Sequence, residues 1–306
     1  MGLKKTDNFK AYWAWIIICI VWGTTYLAIR VGVTDLPPML FAGFRWIIAG
    51  SILFIYLRLR GKKLPARDDF IHLAIIGVVM LGVANGLVVF AEQWIPSGLA
   101  SLLITTVPFF FVGVESLVPH GPKLNRQVIF GLLLGLVGVG LIFGGDIESL
   151  FIPEYFWGVI SLLGAVVAWA VGSVYSKYKK MNVTPLMGAT IQMLVAGLGQ
   201  LGFGLSIGEL DNFVFTQNSF MAFAYLVIFG SLISYPAYVY ALKKLPVAFV
   251  GTYAYINPVI ALFLGWLVLD ERLDMMMIAA AVVILIAVAI VTKGSRAAKR
   301  LSVEKI

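Results

Sequence analysis

Charge is what this sequence has least of: Asp, Glu, Lys and Arg make up 12% of 306 residues, against about a quarter in an ordinary globular domain. A single cysteine, Cys19, excludes an intrachain disulfide. No Walker A, GxGxxG, HExxH or CxxC pattern occurs, so ATP-driven pumping and metal chemistry find no motif, and no cofactor is expected. An intramembrane enzyme would need a buried Asp pair, a Ser-His arrangement or clustered ligands. His72 and His120 fall at the ends of apolar runs, and no Asp lies inside one. Long polar connections are missing too: the longest hold about a dozen residues, too few for a soluble domain.

What is present is apolar length. The chain is 61% hydrophobic, and crossing a hydrocarbon layer of about 30 Å takes about 20 apolar residues in a helix. The runs lack the alternation of barrel strands, so the expected spans are helices. Ten are read: Ala11 to Val33, Pro38 to Leu57, Ile71 to Phe90, Pro96 to Leu117, Gln127 to Phe143, Phe156 to Tyr175, Pro185 to Leu205, Phe220 to Leu242, Pro246 to Leu269 and Met275 to Val291. The first is too long for a signal-peptide core and has no cleavage site after it, so it is expected to remain.

The net charge of +8 raises the question of nucleic acid, and its distribution answers it. With the N-terminus inside, the cytoplasmic segments hold twenty of the 23 basic residues, including Arg58 to Arg67, Lys177 to Lys180, Lys243, Lys244 and the C-terminal cluster. Outer segments hold Arg30 and Arg272 beside Asp35, Glu92, Asp146, Glu148, Glu154, Glu209, Asp211, Asp270, Glu271 and Asp274. Every loop follows the positive-inside rule, which places both termini in the cytoplasm. The basic balance is topological, and no nucleic-acid partner is expected. The sequon Asn182-Val-Thr184 then falls on the cytoplasmic side and carries no glycan.

The chain also repeats itself. One ungapped shift sets Trp22 on Trp169, Pro38 on Pro185 and Ala49-Gly50 on Ala196-Gly197; a second sets Ala91 on Ala241, Pro96 on Pro246 and Pro108 on Pro258. Residues 1–145 and 146–306 therefore read as two copies of a five-helix unit. Because five is odd, the second copy enters from the opposite side, giving an inverted repeat of the kind that supports alternating access.

Trp22-Gly-Thr-Thr-Tyr-Leu-Ala-Ile-Arg30, Leu36-Pro-Pro38, Arg45, Ala91-Glu-Gln93 with Pro96-Ser-Gly-Leu-Ala100, Pro108 and the segment from Pro258 to Glu271 resemble the EamA branch of the drug/metabolite transporter superfamily, and within it the YedA-like exporters. The resemblance runs along the whole chain. It implies an all-α polytopic membrane protein with ten transmembrane helices in two inverted five-helix repeats. It also implies a central cavity formed by both halves, and export of amino acids or other small metabolites. One departure is visible: family members often end the fourth helix with an acid-basic pair like Glu271-Arg272, where the first repeat here reads His120-Gly-Pro122. Small multidrug exporters of the superfamily rely on an acid in their first helix, and span one has none.

Polar residues inside spans mark the candidate site. Trp22 lies about 16 Å from the inner end of its helix and Trp169 at similar depth, so the two are expected to face each other near the midplane, with Tyr26 and Ser173 one turn on. Gly23, Thr24 and Thr25 either line the cavity or allow close helix packing. Asn85, Ser101 and Thr105 add neutral hydrogen-bonding groups, and Tyr235, Tyr238, Tyr255 and Asn257 complete the expected substrate-binding set.

Arg45, about 10 Å below the outer end of span two, needs a partner in lipid; Glu92 matches its depth, and a carboxylate ligand is the other reading. Pro108 and Pro258 are expected to kink spans four and nine as hinges. Glu115, near the inner end of span four, is within reach of the interface, Lys123 or Arg126. Gly131 and Gly135 form a small-residue face for a neighbouring helix or a homodimer. The expected function is export of a small amino acid or related metabolite from a bacterial inner membrane. Lipophilic drug efflux is the alternative, and bilayer lipid is the one other contact expected.

Overall fold

In a computed structural model, residues 2–95, 97–119, 125–143, 153–260 and 275–303 are described, and no strand occurs among them. The helices are α1 (Gly2–Asp35), α2 (Pro38–Leu59), α3 (Arg67–Ala91), α4 (Ser97–Ile104), α5 (Val107–Ser116), α6 (Arg126–Phe143), α7 (Phe156–Tyr178), α8 (Pro185–Ser206), α9 (Gln217–Lys244), α10 (Val247–Ile260) and α11 (Met275–Val303). Seven of them, α1, α2, α3, α7, α8, α9 and α11, are long and apolar enough to cross a membrane. Expected spans four, five and nine are carried by shorter apolar helices, Ala100–Ser116, Arg126–Gly138 and Val247–Ile260, each adjoining residues outside the described set. Pro96, His120, Pro122, Lys123, Asp146, Glu148, Asp270, Glu271, Arg272 and Asp274 lie outside the described residues.

Span four is interrupted close to where Pro108 was expected to kink it. It breaks at Thr105-Thr106, where α4 hands over to α5 with Pro108 in the first turn. Proline has no N–H to offer the preceding turn, and a helix start is where that absence costs nothing. At the break the two hydroxyls turn back to share carbonyls with their own amides, Thr105 to Leu102 at 2.5 Å and Thr106 to Leu103 at 2.8 Å. In α10 the break falls at Thr252, whose hydroxyl donates to the Phe249 carbonyl at 2.7 Å. Pro258 stands inside the helix beyond that break, so the two prolines do not play matching parts.

Helix pairing is symmetric between the two halves. α2 lies along α8 and α6 along α11, while α1 packs on α9 and α7 on α3. The α2–α8 contact is backbone-close: a Cβ on Gly197 would stand 2.9 Å from the Ile47 amide nitrogen. Gly131 faces Val291 and Ile290, and Gly135 faces the Tyr255 ring. Of the two readings of this small-residue face, the one that meets neighbouring helices of the same chain is seen.

Two features escape a helical-wheel reading. α3 and α9 each widen to a π-helical stretch at matching places, Val78–Asn85 and Leu226–Ile233. In α9 the cause is local. Pro236 withholds its N–H from the turn before it, and the Ser234 hydroxyl donates to the Phe229 carbonyl at 2.7 Å. In α3 the carbonyls of Leu81 and Gly82 are met from another helix, by Gln200 Nε2 of α8 at 2.9 and 3.1 Å.

The two halves also touch at both ends of the bundle. At one end Glu209 accepts from the Met39 and Leu40 amides at 3.3 and 2.8 Å, capping α2, and Thr216 donates to Asp35 at 2.5 Å. Gly208, at φ 78°, makes the left-handed turn that delivers Glu209 there. At the other end Tyr175 pairs with His72 Nδ1 and Tyr178 donates to Glu115, each at 2.7 Å, while the Asn182 amide donates to Asp69 at 3.1 Å. Tyr178 thus bonds Glu115, where the interface, Lys123 or Arg126 was expected to meet it, and Lys123 lies outside the described residues.

Candidate functional site

A cavity of about 80 Å³ lies where the widened part of α3 and Tyr235 of α9 face α1, α2 and α7, lined among others by Trp22, Tyr26, Arg45, Asn85 and Trp169. A water needs about 10–15 Å³ on such a measure, so the space holds several waters or a small organic molecule. Both halves contribute to the wall, and among the described residues no Asp or Glu lines it.

Its aromatic face is a cluster, not a pair. Trp22 and Trp169 meet edge to face with ring centroids 5.5 Å apart, as the repeat suggested. Tyr238 lies 5.1 Å from both indoles, and Tyr253 is 5.0 Å from Trp22. Edge-to-face contacts of this kind hold rings in register through their quadrupoles. Tyr238 itself stands behind the wall, fully buried, with its hydroxyl 2.6 Å from Ser173. Tyr253 lines the cavity instead.

The Gly-Thr-Thr group of α1 divides its labour. Gly23 is a close approach: an added Cβ would sit 3.0 Å from Ile260. Thr24 donates to the Val21 carbonyl at 2.7 Å and bonds the Tyr225 hydroxyl. Thr25 donates to Trp22 at 2.9 Å and reaches the cavity.

Several expected binding residues sit elsewhere. Tyr255 is buried against α6, its hydroxyl donating to the Leu132 carbonyl at 3.1 Å. Two residues apart on a helix point some 200° apart, so Tyr253 and Tyr255 could not share a face. Asn257 is 2% exposed, and with its amide oriented to donate it reaches the Tyr253 and Cys19 carbonyls at 2.9 and 3.1 Å, tying α10 to α1. Ser101 and Thr105 are buried off the lining, and neither Pro108 nor Pro258 reaches it.

Arg45 and Glu92 lie close enough for each charge to act on the other, but no hydrogen bond joins them. Arg45, 3% exposed, donates from Nε to Ser231 at 2.8 Å and lies 4.2 Å over the Trp46 ring, while one terminal nitrogen, Nη1, is buried with no partner. Glu92, just past the end of α3, is fully buried, and neither carboxylate oxygen has a hydrogen-bond partner. Arg30 donates to the Glu92 backbone carbonyl instead of the carboxylate. Burial pushes the Glu92 carboxyl well above the usual carboxylate range, with the Arg30 and Arg45 charges opposing that rise.

Trp46 and Ser231 were missed as site residues. Trp46 had a signal, its adjacency to Arg45; its Nε1 donates to Asn85 Oδ1 at 3.1 Å. Ser231 had none, because only the π-helical turn of α9 brings it to Arg45.

Known proteins place this arrangement. The EamA-like transporter family matches residues 9–144 and 156–293. An Escherichia coli K12 protein named "uncharacterized inner membrane transporter YedA" is 38% identical over 277 residues, covering 90% of this chain and 88% of that one. The Bacillus subtilis 168 "uncharacterized transporter YoaV" is 26% identical over 270 residues, covering 88% and 92%. A solved crystal structure shares the fold at TM-score 0.75 and 20% identity, covering 96% of this chain and 99% of its own. The chain is a multi-pass inner-membrane protein and belongs to the EamA-like transporter family.

Proposed function

We propose that the protein exports a small metabolite, an amino acid or a related compound, by alternating access. Two five-helix units, residues 1–145 and 146–306, are related by an inverted repeat in this reading, with both termini in the cytoplasm. The observation that carries it is the composition of the cavity wall: α1, α2 and α3 of the first unit and α7 and α9 of the second enclose one space. A site shared by two units that rock against each other is exposed to either side in turn.

In this reading the Glu209 and Thr216 contacts form the outer closure, and the Tyr175, Tyr178 and Asn182 contacts the inner one. Releasing one set while keeping the other gives the two half-open states. Efflux of lipophilic compounds is the competing function, and a buried guanidinium on the wall speaks against it, since such cargo leaves that charge unanswered.

The test is counterflow of labelled amino acids and related metabolites through purified protein in liposomes. Exchange is expected for a few of them, and Trp22→Ala and Trp169→Ala each lower it by about tenfold, or ~1.4 kcal/mol of barrier. A folded wild type that exchanges nothing, with or without an imposed pH gradient, sinks the proposal.

A further inference from the structure

Arg45 lines the cavity with a charge that no carboxylate among the described residues meets by a hydrogen bond. Arg45 is fixed at two points, by Ser231 at Nε and by the Trp46 ring beneath it, and its buried Nη1 is left without an acceptor. A guanidinium stays charged at any physiological pH, and its planar fork matches a carboxylate. Glu92 makes no hydrogen bond to it, since both of its oxygens lack partners, and its charge is shared between Arg45 and Arg30.

Among the described residues of this buried corner two arginines, Arg30 and Arg45, stand against one acid, Glu92, and none of the described acids lines the cavity. Asn85 adds a second donor on the same wall. Its Oδ1 is engaged by Trp46, which leaves the amide nitrogen as its available end. Around these donors the lining is apolar and aromatic, with Ile29, Val88, Ile104, Trp22, Trp169 and Tyr253.

We propose that Arg45 and Asn85 form a carboxylate site, so that the cargo is a small monocarboxylate with an apolar or aromatic body and no required amine. The proposal rests on the transport reading of the same cavity. The ligand's carboxylate takes the place of an acceptor at Arg45 Nη1, and its body lies on the indole and phenol rings. An ammonium finds no carboxylate on the wall, so amines and neutral amides of the same shape bind poorly.

The test uses quenching of intrinsic tryptophan fluorescence in purified full-length protein. The probes are phenylacetate, benzoate and 4-methylpentanoate, set against phenylacetamide and phenethylamine. The carboxylates are expected to bind at least tenfold more tightly than the amide and the amine. Arg45→Gln is expected to abolish that preference and Arg45→Lys to keep part of it, because a point charge remains without the fork.

Equal binding of acid, amide and amine by wild type overturns the proposal. So does a lack of response to any of the three acids, and so does an Arg45→Gln protein that keeps the preference. The wild-type comparison decides even if Arg45→Gln does not fold. Counterflow with labelled phenylacetate separates the two readings: preferential carboxylate binding without exchange leaves the site standing and removes transport. Exchange of metabolites with no carboxylate preference does the reverse.

Discussion

α3 and α9 reach the same widened geometry by different means. In α9 the device is written within a few residues: Pro236 withholds an amide, and Ser234 satisfies the Phe229 carbonyl. In α3 there is no proline, and the Leu81 and Gly82 carbonyls depend on Gln200, a residue of the other half more than a hundred positions away. A local device survives when its surroundings move, whereas a borrowed one holds only while α8 stays against α3. The first helix is therefore shaped by assembly, and the second by its own sequence.

Substitutions can break that contrast. The largest effect is expected from Gln200→Leu, which strips two buried carbonyls of their donor. A loss of about 2 kcal/mol should show as a lower thermal midpoint in detergent, and a stability unchanged from wild type would mean that α3 holds its own shape. Next is Pro236→Ala. Restoring the amide lets α9 relax toward a regular helix and turns Ser231 away from Arg45. The expected readout is about a tenfold drop in exchange, ~1.4 kcal/mol, with stability kept or raised; full activity would show that the widening needs no proline. Smallest is Ser234→Ala, at about 0.6 kcal/mol, since water or a neighbouring group replaces one hydroxyl bond. If it proves as severe as Gln200→Leu, the two helices do not differ in the way described.

The contrast also marks how far the sequence could be read. Long apolar runs, the charge bias between loops and the Trp22/Trp169 echo all depend on composition and spacing, and the seven long helices and the indole contact follow from them. Faces beyond a π-helical stretch do not. A wheel drawn at 100° per residue loses its phase across Val78–Asn85 or Leu226–Ile233. That is why Ser231 went unseen and why Tyr238 was put on the wall instead of behind it. Arg45 and Glu92 were matched by depth alone. Depth fixes height along the bundle but not azimuth, and the actual neighbours of Arg45 are Ser231 and Trp46.

Glu209 has a consequence for the order of events in a transport cycle. The first turn of α2 has no cap of its own: Pro37 offers no side-chain acceptor, and the Met39 and Leu40 amides rely on a carboxylate from the opposite half. Parting the halves at that end strands those amides and a carboxylate together, and each then needs a new hydrogen-bond partner. Water is the one partner available to all of them at once. On the proposed alternating-access cycle, hydration of the α2 start comes before the escape of cargo, and a solvent that wets poorly is expected to slow release at this end more than at the other.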